Sequence, residues 1–424
     1  MTIGYLHIGP ATHGVTRYGA LLARAAREHL SDDVIEAEAE LQGRPAEDEQ
    51  QLRTAIQRLS SADVVHLQYN ERVWGNARAA AHVRTVIAAC AAPIVATLHD
   101  VREGYGWRGI GRRTWAQRTA DGLGGSGAGG EDRAADPDRA TGLWASMQRA
   151  ARYVWKEWQN TRATKHLARR AAQILVCTHE EARRLHGIVA PEQRTVIPHF
   201  VEDRAIDIAP PDAKEELGLA GRRVCTVLGF IHRAKGHALV VEAMPAWPDH
   251  VHVVFAGRPA VGSQGFAQKL QQRAKALGVA DRLRITGYLE EDTLDRYLAA
   301  TDLALCPFEQ VSASGSLSTW IAAGRPILAS DQPQIAEYNA MAAGAIATFT
   351  PYTPAALAEA GRAQLGREAE AGPEAHPKST SSASRRARAQ LREKLSLSRI
   401  IQQHAAVYRA ATRHAESSTH PHPE

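Results

Sequence analysis

Long apolar stretches are absent from this 424-residue sequence, and their absence excludes several classes of protein. No segment approaches the roughly 20 successive apolar residues that a membrane-spanning helix needs. Residues 1–9 have neither a basic start nor a long apolar core, so we expect a buried first strand there rather than a signal peptide. The sequence therefore favours a cytoplasmic protein, with contact at the inner face of the cytoplasmic membrane left open.

Cysteine is scarce as well. The four thiols are far apart, and each lies in or beside an apolar run, which is typical of buried free cysteines. Their spacing fits neither a metal cluster nor a disulfide framework, and a reducing compartment suits such usage. The cysteines are Cys90, Cys177, Cys225 and Cys306.

Neither charge nor hydrophobicity is extreme. A hydrophobic content of 44% and a charged content of 23% are typical of soluble globular proteins, and the length favours two domains. The net charge of +5 indicates an anionic partner, for which phosphate groups, acidic lipid and nucleic acid all qualify. Nucleic acid is disfavoured, because the basic stretches lack interleaved aromatic residues, apart from one tryptophan-bearing helix, and contain no known module.

Short apolar runs alternate with helical stretches, and the pattern occurs twice. Strands that are apolar on both faces and separated by helices indicate a parallel sheet covered on both sides. The pattern restarts after residues 196–201, so we predict two successive doubly wound α/β domains. The predicted strands are 3–8, 64–67, 94–98 and 174–177 in the first domain, and 224–230, 251–256, 283–286, 303–306 and 326–329 in the second.

Composition divides the chain further. Residues 106–140 are dense in glycine and charge and cannot bury enough apolar surface to order themselves, so we predict a mobile insertion. The predicted layout is a first domain at 1–202, which contains that insertion and an amphipathic basic helix at 141–170; a second domain at 203–370; a polar loop at 371–384; a helix at 385–413 that packs back toward the first domain; and a disordered tail at 414–424.

A serine–glycine–serine loop is the strongest signal for a ligand site. Residues 307–317 follow an apolar strand and lead into a helical run. Such a loop presents unpaired backbone N–H groups, hydroxyls and the positive end of a helix dipole, which together suit a diphosphate. The alternative is that a serine merely caps the helix. The candidate ligand residues are Ser314, Gly315, Ser316 and Leu317.

A second loop, at residues 228–236, also runs from a strand end into a helix. Gly229 and Gly236 permit a close backbone approach, and Arg233 and Lys235 can neutralise phosphate charge. Each cation alone is more often a solvated loop residue. Two such loops in one domain favour a shared site.

Two loops of the first domain are weaker candidates. Gly14 follows the first strand and would let backbone approach a ligand, although a single turn glycine is more often structural. Its surroundings do not match the dinucleotide fingerprint, which disfavours a nicotinamide enzyme. His99 stands at the mouth of a central strand, where it could bond a sugar hydroxyl and shield developing charge, or serve only as a structural hydrogen-bonder.

The helix predicted within 141–170 leaves two interpretations open. Its tryptophans recur at helical spacing, while arginine and lysine occupy the other faces. A basic helix with tryptophan on its apolar side can lie in an anionic lipid interface. The favoured interpretation is that it packs on its own domain, as any amphipathic helix can.

These motifs, in their order, resemble the retaining glycosyltransferase family 4, most closely a subset with a Ser-Gly-Thr-Leu type of donor loop. Each motif is weak alone, but their number and order are specific. The resemblance covers nearly the whole chain except the insertion and the tail. The matching segments are 13–18, 97–99, 196–199, 229–236, 255–257, 286–288 and 314–317.

The resemblance implies the GT-B fold, with two Rossmann-like domains facing a central cleft and the donor on the second domain. It assigns the donor diphosphate to Arg233, Lys235, residues 314–317 and Gly14, and it makes His99 the catalytic candidate that contacts the donor sugar. Contacts with the donor sugar or nucleotide are assigned to Tyr288, Glu309 and Glu337.

The sequence departs from the family pattern at several positions. Phe230 stands where many members have an arginine, so Arg233 must substitute or a charge is missing. Val311 and Thr319 stand at the places of two glutamates, and Glu309 is the candidate replacement for the first. These departures motivate one alternative, a catalytically weak protein that binds glycan or nucleotide.

The resemblance implies transfer of a hexose, with retention, from a nucleotide-sugar to a glycan or lipid-linked acceptor in bacterial polysaccharide or cell-envelope synthesis. We expect no required metal and no cofactor, because cations and helix-end amides neutralise the leaving group. Paired carboxylates of a double-displacement glycosidase are not evident. A nucleotide-sugar epimerase or hydrolase on the same fold is the other alternative.

Overall fold

A computed structural model of the protein describes residues 1–99, 101, 161–260, 263–309, 314–370 and 380–419. The predicted insertion at 106–140, residues 141–160 of the predicted basic helix with its tryptophans, and residues 371–379 of the predicted polar loop lie outside these ranges. Residues 161–170 are helical.

Six parallel strands form the first sheet, in the order β2-β1-β3-β4-β5-β6. The central strands are buried on both faces because helices pack on either side of them. Outermost β2 instead alternates charged and apolar residues. The strands are β1 Thr2–Ile8, β2 Asp33–Ala39, β3 Val64–Tyr69, β4 Ile94–Leu98, β5 Ala171–Val176 and β6 Arg194–Val196.

The second sheet also has six parallel strands, in the order β12-β11-β10-β7-β8-β9. The sequence-based prediction of two doubly wound parallel sheets is therefore confirmed. The strands are β7 Arg223–Leu228, β8 Val251–Ala256, β9 Leu283–Ile285, β10 Leu303–Cys306, β11 Ile327–Ser330 and β12 Ala347–Phe349.

Helices connect the strands. The first helix, α1, illustrates the sequence features that favour a helix there. Its apolar residues face the sheet, and the His13 ring accepts a hydrogen bond from the amide of Val15 at the start of the helix. Basic residues in its last turn complement the helix dipole. The helices are α1 Gly14–His29, α2 Pro45–Arg58, α3 Ala79–Ala89, α4 His179–Arg184, α5 Pro210–Glu216, α6 His237–Ala243, α7 Gln264–Ala276, α8 Glu291–Ala300, α9 Gly315–Ala322, α10 Pro333–Met341, α11 Pro354–Glu370, α12 Thr380–Lys394 and α13 Leu397–Thr419.

The C-terminal helical region differs from the sequence-based layout. A single helix was expected over 385–413, whereas the structure has two, separated at residues 395–396. Helix α12 begins at Thr380, inside the predicted polar loop, and α13 continues to Thr419, inside the predicted tail. The break coincides with backbone pairing of Val201 to this connection, because the Val201 amide donates to the Leu395 carbonyl at 2.7 Å.

The chain divides into two compact units. The first comprises residues 1–197 and 401–424, and the second comprises residues 198–400. Each unit has its own apolar core around its sheet. All four cysteines are buried and free, as predicted. In the described ranges, no helix combines the length and the apolar character required to traverse a bilayer.

His237 places an ionisable ring inside the second unit. The side chain is fully buried in α6 and packs edge-on against Phe255, with ring centroids 4.7 Å apart. Burial, and secondarily the charge of nearby Lys235, lowers the pKa of His237 to about 3. The ring is therefore neutral in the folded protein under ordinary conditions.

We predict that this histidine makes the second unit sensitive to acid. Its folded pKa lies below its unfolded value of about 6.5, so unfolding takes up a proton below that pH and costs stability at about 1.4 kcal/mol per pH unit. Urea unfolding at several pH values between 7.5 and 5 should show a shallower pH slope for His237→Gln than for the native protein. The exposed His250→Asn is the matched control. Equal slopes for native protein and His237→Gln would contradict the prediction.

Candidate functional site

The two loops that the sequence singled out in the second unit meet at one hydrogen bond. The Lys235 ammonium, at the end of the 3-10 turn Arg233–Lys235 after β7, donates to the Ser316 hydroxyl at 2.6 Å. It also donates to the carbonyl of Leu228 at 3.1 Å. An ammonium has three N–H bonds. With two acceptors among the described residues, the third N–H can point toward a ligand.

Glycines allow these loops to approach each other. A Cβ at Gly236, which has a φ of +75°, would lie 1.9 Å from the carbonyl oxygen of Pro307. One at Gly229, with a φ of +103°, would lie 3.0 Å from the Lys235 ammonium, and one at Gly257 would lie 2.1 Å from the Gly229 oxygen. A side chain at any of these three positions would collide with or crowd a neighbouring atom, so glycine is what lets the backbones pack closely beside the ammonium.

The serine loop begins helix α9. Ser314 is its N-cap, since the Ser314 hydroxyl accepts from the amide of Leu317 at 3.4 Å and lies 3.0 Å from the hydroxyl of Ser316. The amides of Gly315 and Ser316 open the helix, where N–H groups have no intrahelical acceptor. Capping and ligand binding are thus compatible roles for one loop. Residues 310–313, just before it, lie outside the described ranges.

Electrostatics make Lys235 unusual. Burial lowers the pKa of Lys235 to about 8, and the ammonium lies 5.4 Å from the centre of the Phe308 ring. No carboxylate bonds this ammonium among the described residues. An anion placed beside it would stabilise the charged form and recover part of the cost of burial. The arrangement suits a phosphate.

The other two charged candidates near this loop lie at its edge. Arg233 is exposed, and its guanidinium lies 5.6 Å from the centre of the Phe266 ring of α7. Glu309 is also exposed, and its amide donates to the carbonyl of Ala234 at 3.0 Å, which ties the two loops together. Burial, and then the Glu309 charge, raises the pKa of Tyr352 to about 12.

Two further predicted residues lie on other elements. Tyr288 follows β9 and is 67% exposed. Glu337 lies in α10 and is partly buried. The structure therefore brings together Lys235, Ser314, Gly315, Ser316 and Leu317, with Glu309 tied to them through the backbone, whereas Tyr288 and Glu337 belong to other elements of the second unit.

Exposed aromatic side chains mark the same edge of the second sheet. Among the described residues, the large hydrophobic side chains that remain exposed are Phe230, Tyr288 and Tyr352. They follow β7, β9 and β12 respectively. In parallel sheets, ligands bind beyond the carboxyl ends of the strands, and exposed apolar surface commonly marks a binding site.

His99 and Gly14 belong to the first unit. Gly14 is the exposed first residue of α1, and His99 directly follows β4. Tyr18, one turn into α1, packs edge-on against the His99 ring with centroids 4.9 Å apart. The two candidates consequently share the carboxyl edge of the first sheet.

A buried polar chain holds His99. Its Nε2 lies 2.8 Å from Oε1 of Gln68, whose Nε2 lies 3.1 Å from Nε2 of His66. The His66 Nδ1 in turn lies 2.7 Å from the hydroxyl of Tyr408 in α13. Burial is the main cause that lowers the pKa of His66 well below its ordinary value, so this ring is neutral. A neutral histidine ring has one donor and one acceptor nitrogen, and this fixes which group donates and which accepts along the series of hydrogen bonds.

The sequence-based prediction did not include Gln68 or Arg258. Arg258 follows β8 and is exposed, with its guanidinium between the rings of Phe230 and Tyr288. The available signal was position alone, because Arg258 comes just after the predicted strand 251–256. Within the described part of the chain, no group of three or more histidine, cysteine or acidic side chains is placed to hold a metal ion.

A segment of the second unit matches a known protein family. Residues 222–365 match the family model described as Glycosyl transferases group 1. The lipopolysaccharide core biosynthesis mannosyltransferase LpcC of Rhizobium leguminosarum bv. viciae is 29% identical over 175 residues, which are 34% of this chain and 50% of that protein. The 2-deoxystreptamine N-acetyl-D-glucosaminyltransferase of Streptomyces fradiae is 26% identical over 171 residues, 39% of this chain and 40% of that protein. The chain thus spans half or less of the length of these relatives.

Solved structures match over both units. Anabaena HepE in complex with UDP superposes with a TM-score of 0.64 at 16% identity, covering 97% of this chain and 100% of that one. WaaG, a glycosyltransferase involved in lipopolysaccharide biosynthesis, gives a TM-score of 0.57 at 16% identity, covering 96% and 99%. The chain accordingly has the GT-B fold, and residues 222–365 are similar to the domain described as Glycosyl transferases group 1.

Proposed function

We propose that the protein is a retaining glycosyltransferase that moves a hexose from a nucleotide-sugar to a glycan or lipid-linked sugar acceptor. The observation that carries the proposal is the Lys235–Ser316 bond, which joins two strand-end loops beside the open amides of α9. Both loops lie inside the region that matches group 1 glycosyl transferases. The structural neighbour HepE was solved with UDP, which supports a nucleoside diphosphate as the ligand.

In this proposal the second unit stabilises the departing nucleoside diphosphate. As the bond between the sugar C1 and the phosphate oxygen breaks, negative charge grows on the diphosphate. The Lys235 ammonium and the first amides of α9 are already oriented toward such charge, so no reorganisation is needed. The acceptor oxygen bonds C1 on the same face, and its proton passes to the departing phosphate oxygen.

His99 is the proposed sugar contact in the first unit. Its backbone amide donates to the Tyr69 carbonyl at 2.9 Å, and its ring is fixed by Gln68 and Tyr18, so its position is set before any ligand binds. A fixed imidazole can hydrogen-bond a sugar hydroxyl without loss of rotamer freedom. Gly14 would admit close backbone approach at the same edge of that sheet.

The names of the relatives support the proposed acceptor and location. One of them is named for lipopolysaccharide core biosynthesis, and WaaG is described as acting in lipopolysaccharide biosynthesis. We therefore place the proposed reaction in bacterial cell-envelope or polysaccharide synthesis, in the cytoplasm and at the inner face of the cytoplasmic membrane. An acceptor carried on lipid would bring its sugar to that face.

Nucleotide binding is the first test. A thermal-shift panel of UDP, GDP and ADP should raise the melting temperature with one base, since a ligand at a hundred times its dissociation constant adds about 2.7 kcal/mol of stability. Lys235→Ala and Lys235→Met should weaken that ligand by about 10- to 100-fold, because each removes a charged hydrogen bond. Exposed Lys275→Ala is the control. The proposal fails if none of the three diphosphates binds, or if Lys235→Ala and Lys235→Met bind the diphosphate as tightly as the native protein and the control do.

The pH dependence of binding is the second test. The pKa of Lys235 is lowered to about 8, so the free protein loses this charge as pH rises through 8. Affinity for the diphosphate should fall by up to about tenfold per pH unit above that value, as measured by calorimetry between pH 7 and 9.5. Lys235→Met should bind weakly at every pH. A native affinity that stays constant to pH 9.5 would show that this ammonium does not contact the ligand.

Metal independence is the third test. Because cations and helix amides serve the diphosphate in this proposal, an EDTA-treated sample should bind the diphosphate within about twofold of the untreated affinity, and transfer should persist. Added Mg²⁺ should change neither. Loss of binding in EDTA with recovery on Mg²⁺ would assign the charge neutralisation to a metal instead.

A further inference from the structure

Three neighbouring strands of the second sheet each end in a side chain that joins one exposed stack. Phe230 follows β7, Arg258 follows β8 and Tyr288 follows β9, and these strands are adjacent in the order β7-β8-β9. The Arg258 guanidinium lies 5.5 Å from the centre of the Phe230 ring and 5.7 Å from that of Tyr288. All three side chains are exposed.

The backbone beneath this stack is fixed. The Ile231 amide donates to the Arg258 carbonyl at 2.9 Å, and the Ala260 amide donates back to the Ile231 carbonyl at 3.1 Å. The amide of Gly257 donates to the Thr286 hydroxyl at 3.1 Å, which ties in the segment before Tyr288. The loops after all three strands are therefore held together by hydrogen bonds.

The stack adjoins the lysine site. Phe230 and Arg258 each come one residue after a glycine of the packed pair Gly229 and Gly257. A Cβ at Gly229 would lie 3.0 Å from the Lys235 ammonium. The backbone that carries Phe230 and Arg258 therefore lies next to the glycine that packs beside the ammonium.

The guanidinium is positioned but not neutralised. In the described part of the chain it has contacts with the two rings and no ion pair or hydrogen bond to a carboxylate. The Arg233 guanidinium, by contrast, lies over the ring of Phe266 in α7. Aromatic faces hold an arginine without occupying its five N–H donors, which form the fork that suits phosphate.

We propose that Arg258, held between Phe230 and Tyr288, is a second cation of the diphosphate site and supplies the charge that Phe230 leaves missing in the loop after β7. The inference rests on the proposed function, since it assumes that the ligand is a nucleoside diphosphate. In this proposal Phe230 also contributes to the site, because its ring positions Arg258, which replaces the arginine that many family members have at the position of Phe230.

The test compares two arginines in one assay. Binding of the nucleoside diphosphate identified by the UDP, GDP and ADP panel is measured by calorimetry for native protein and Arg258→Ala, with Arg296→Ala as control. Arg296 is half-buried and pairs with Glu216 on the neighbouring helix. Arg258→Ala should weaken binding by about tenfold or more, with the control within about twofold of the native affinity. Raising the salt concentration should weaken native binding more than Arg258→Ala binding.

Two further measurements separate charge from packing. Binding of the matching nucleoside without phosphate, followed by saturation-transfer NMR, should be unchanged in Arg258→Ala. Phe230→Leu keeps the guanidinium but removes a ring, and should weaken the diphosphate by about two- to fivefold. The inference is overturned if Arg258→Ala binds like the native protein while Lys235→Met does not, or if nucleoside and diphosphate lose affinity equally. If the native protein binds none of the diphosphates, that result would instead contradict the proposed function.

Discussion

The hydrogen bond from the Lys235 ammonium to the Ser316 hydroxyl is the contact on which the site depends. It joins the loop after β7 to the start of α9. The bond is possible because Gly236 has no side chain to collide with Pro307, and because backbone at Gly229 leaves room for the ammonium. A buried ammonium is costly by itself, and its lowered pKa records that cost. Burial makes functional sense where an anion shares the space.

The two proposed cations of the second unit differ in kind. Lys235 is enclosed and titrates near neutral pH, so its charge depends on what lies beside it. Arg258 is exposed, and it keeps its direction through two aromatic rings rather than through a carboxylate. An ion pair would have fixed the guanidinium equally well but would have cancelled its charge. Phe230 and Tyr288 are for this reason better partners than acidic residues for a site that must attract phosphate.

Strand position and residue type were enough to predict most of the fold and the centre of the site. The uninterrupted apolar runs predicted the central strands, and the loops with Lys235 and Ser316 were predicted because they follow such runs. The edge strands β2, β6 and β12 were missed. The sequence of β2, DVIEAEA, alternates charge with apolar residues, as a strand with one solvated face does. Arg258 and Gln68 were missed for another reason. Their roles arise from neighbours on other strands, and no local pattern encodes a contact between residues 230, 258 and 288.

The end of the chain is part of the first unit, and the buried polar chain gives the physical reason. His66 is neutral and enclosed, and its Nδ1 needs a partner that the first sheet does not provide among the described residues. Tyr408 of α13 provides it, and the Tyr408 hydroxyl also lies 3.1 Å from that of Tyr5 in β1. An unsatisfied buried nitrogen would cost about 1–3 kcal/mol. The same chain continues through Gln68 to His99. Helix α13 therefore helps to position His99, the proposed sugar contact, through this series of buried hydrogen bonds. More than 300 residues separate Tyr408 from His99 in the sequence.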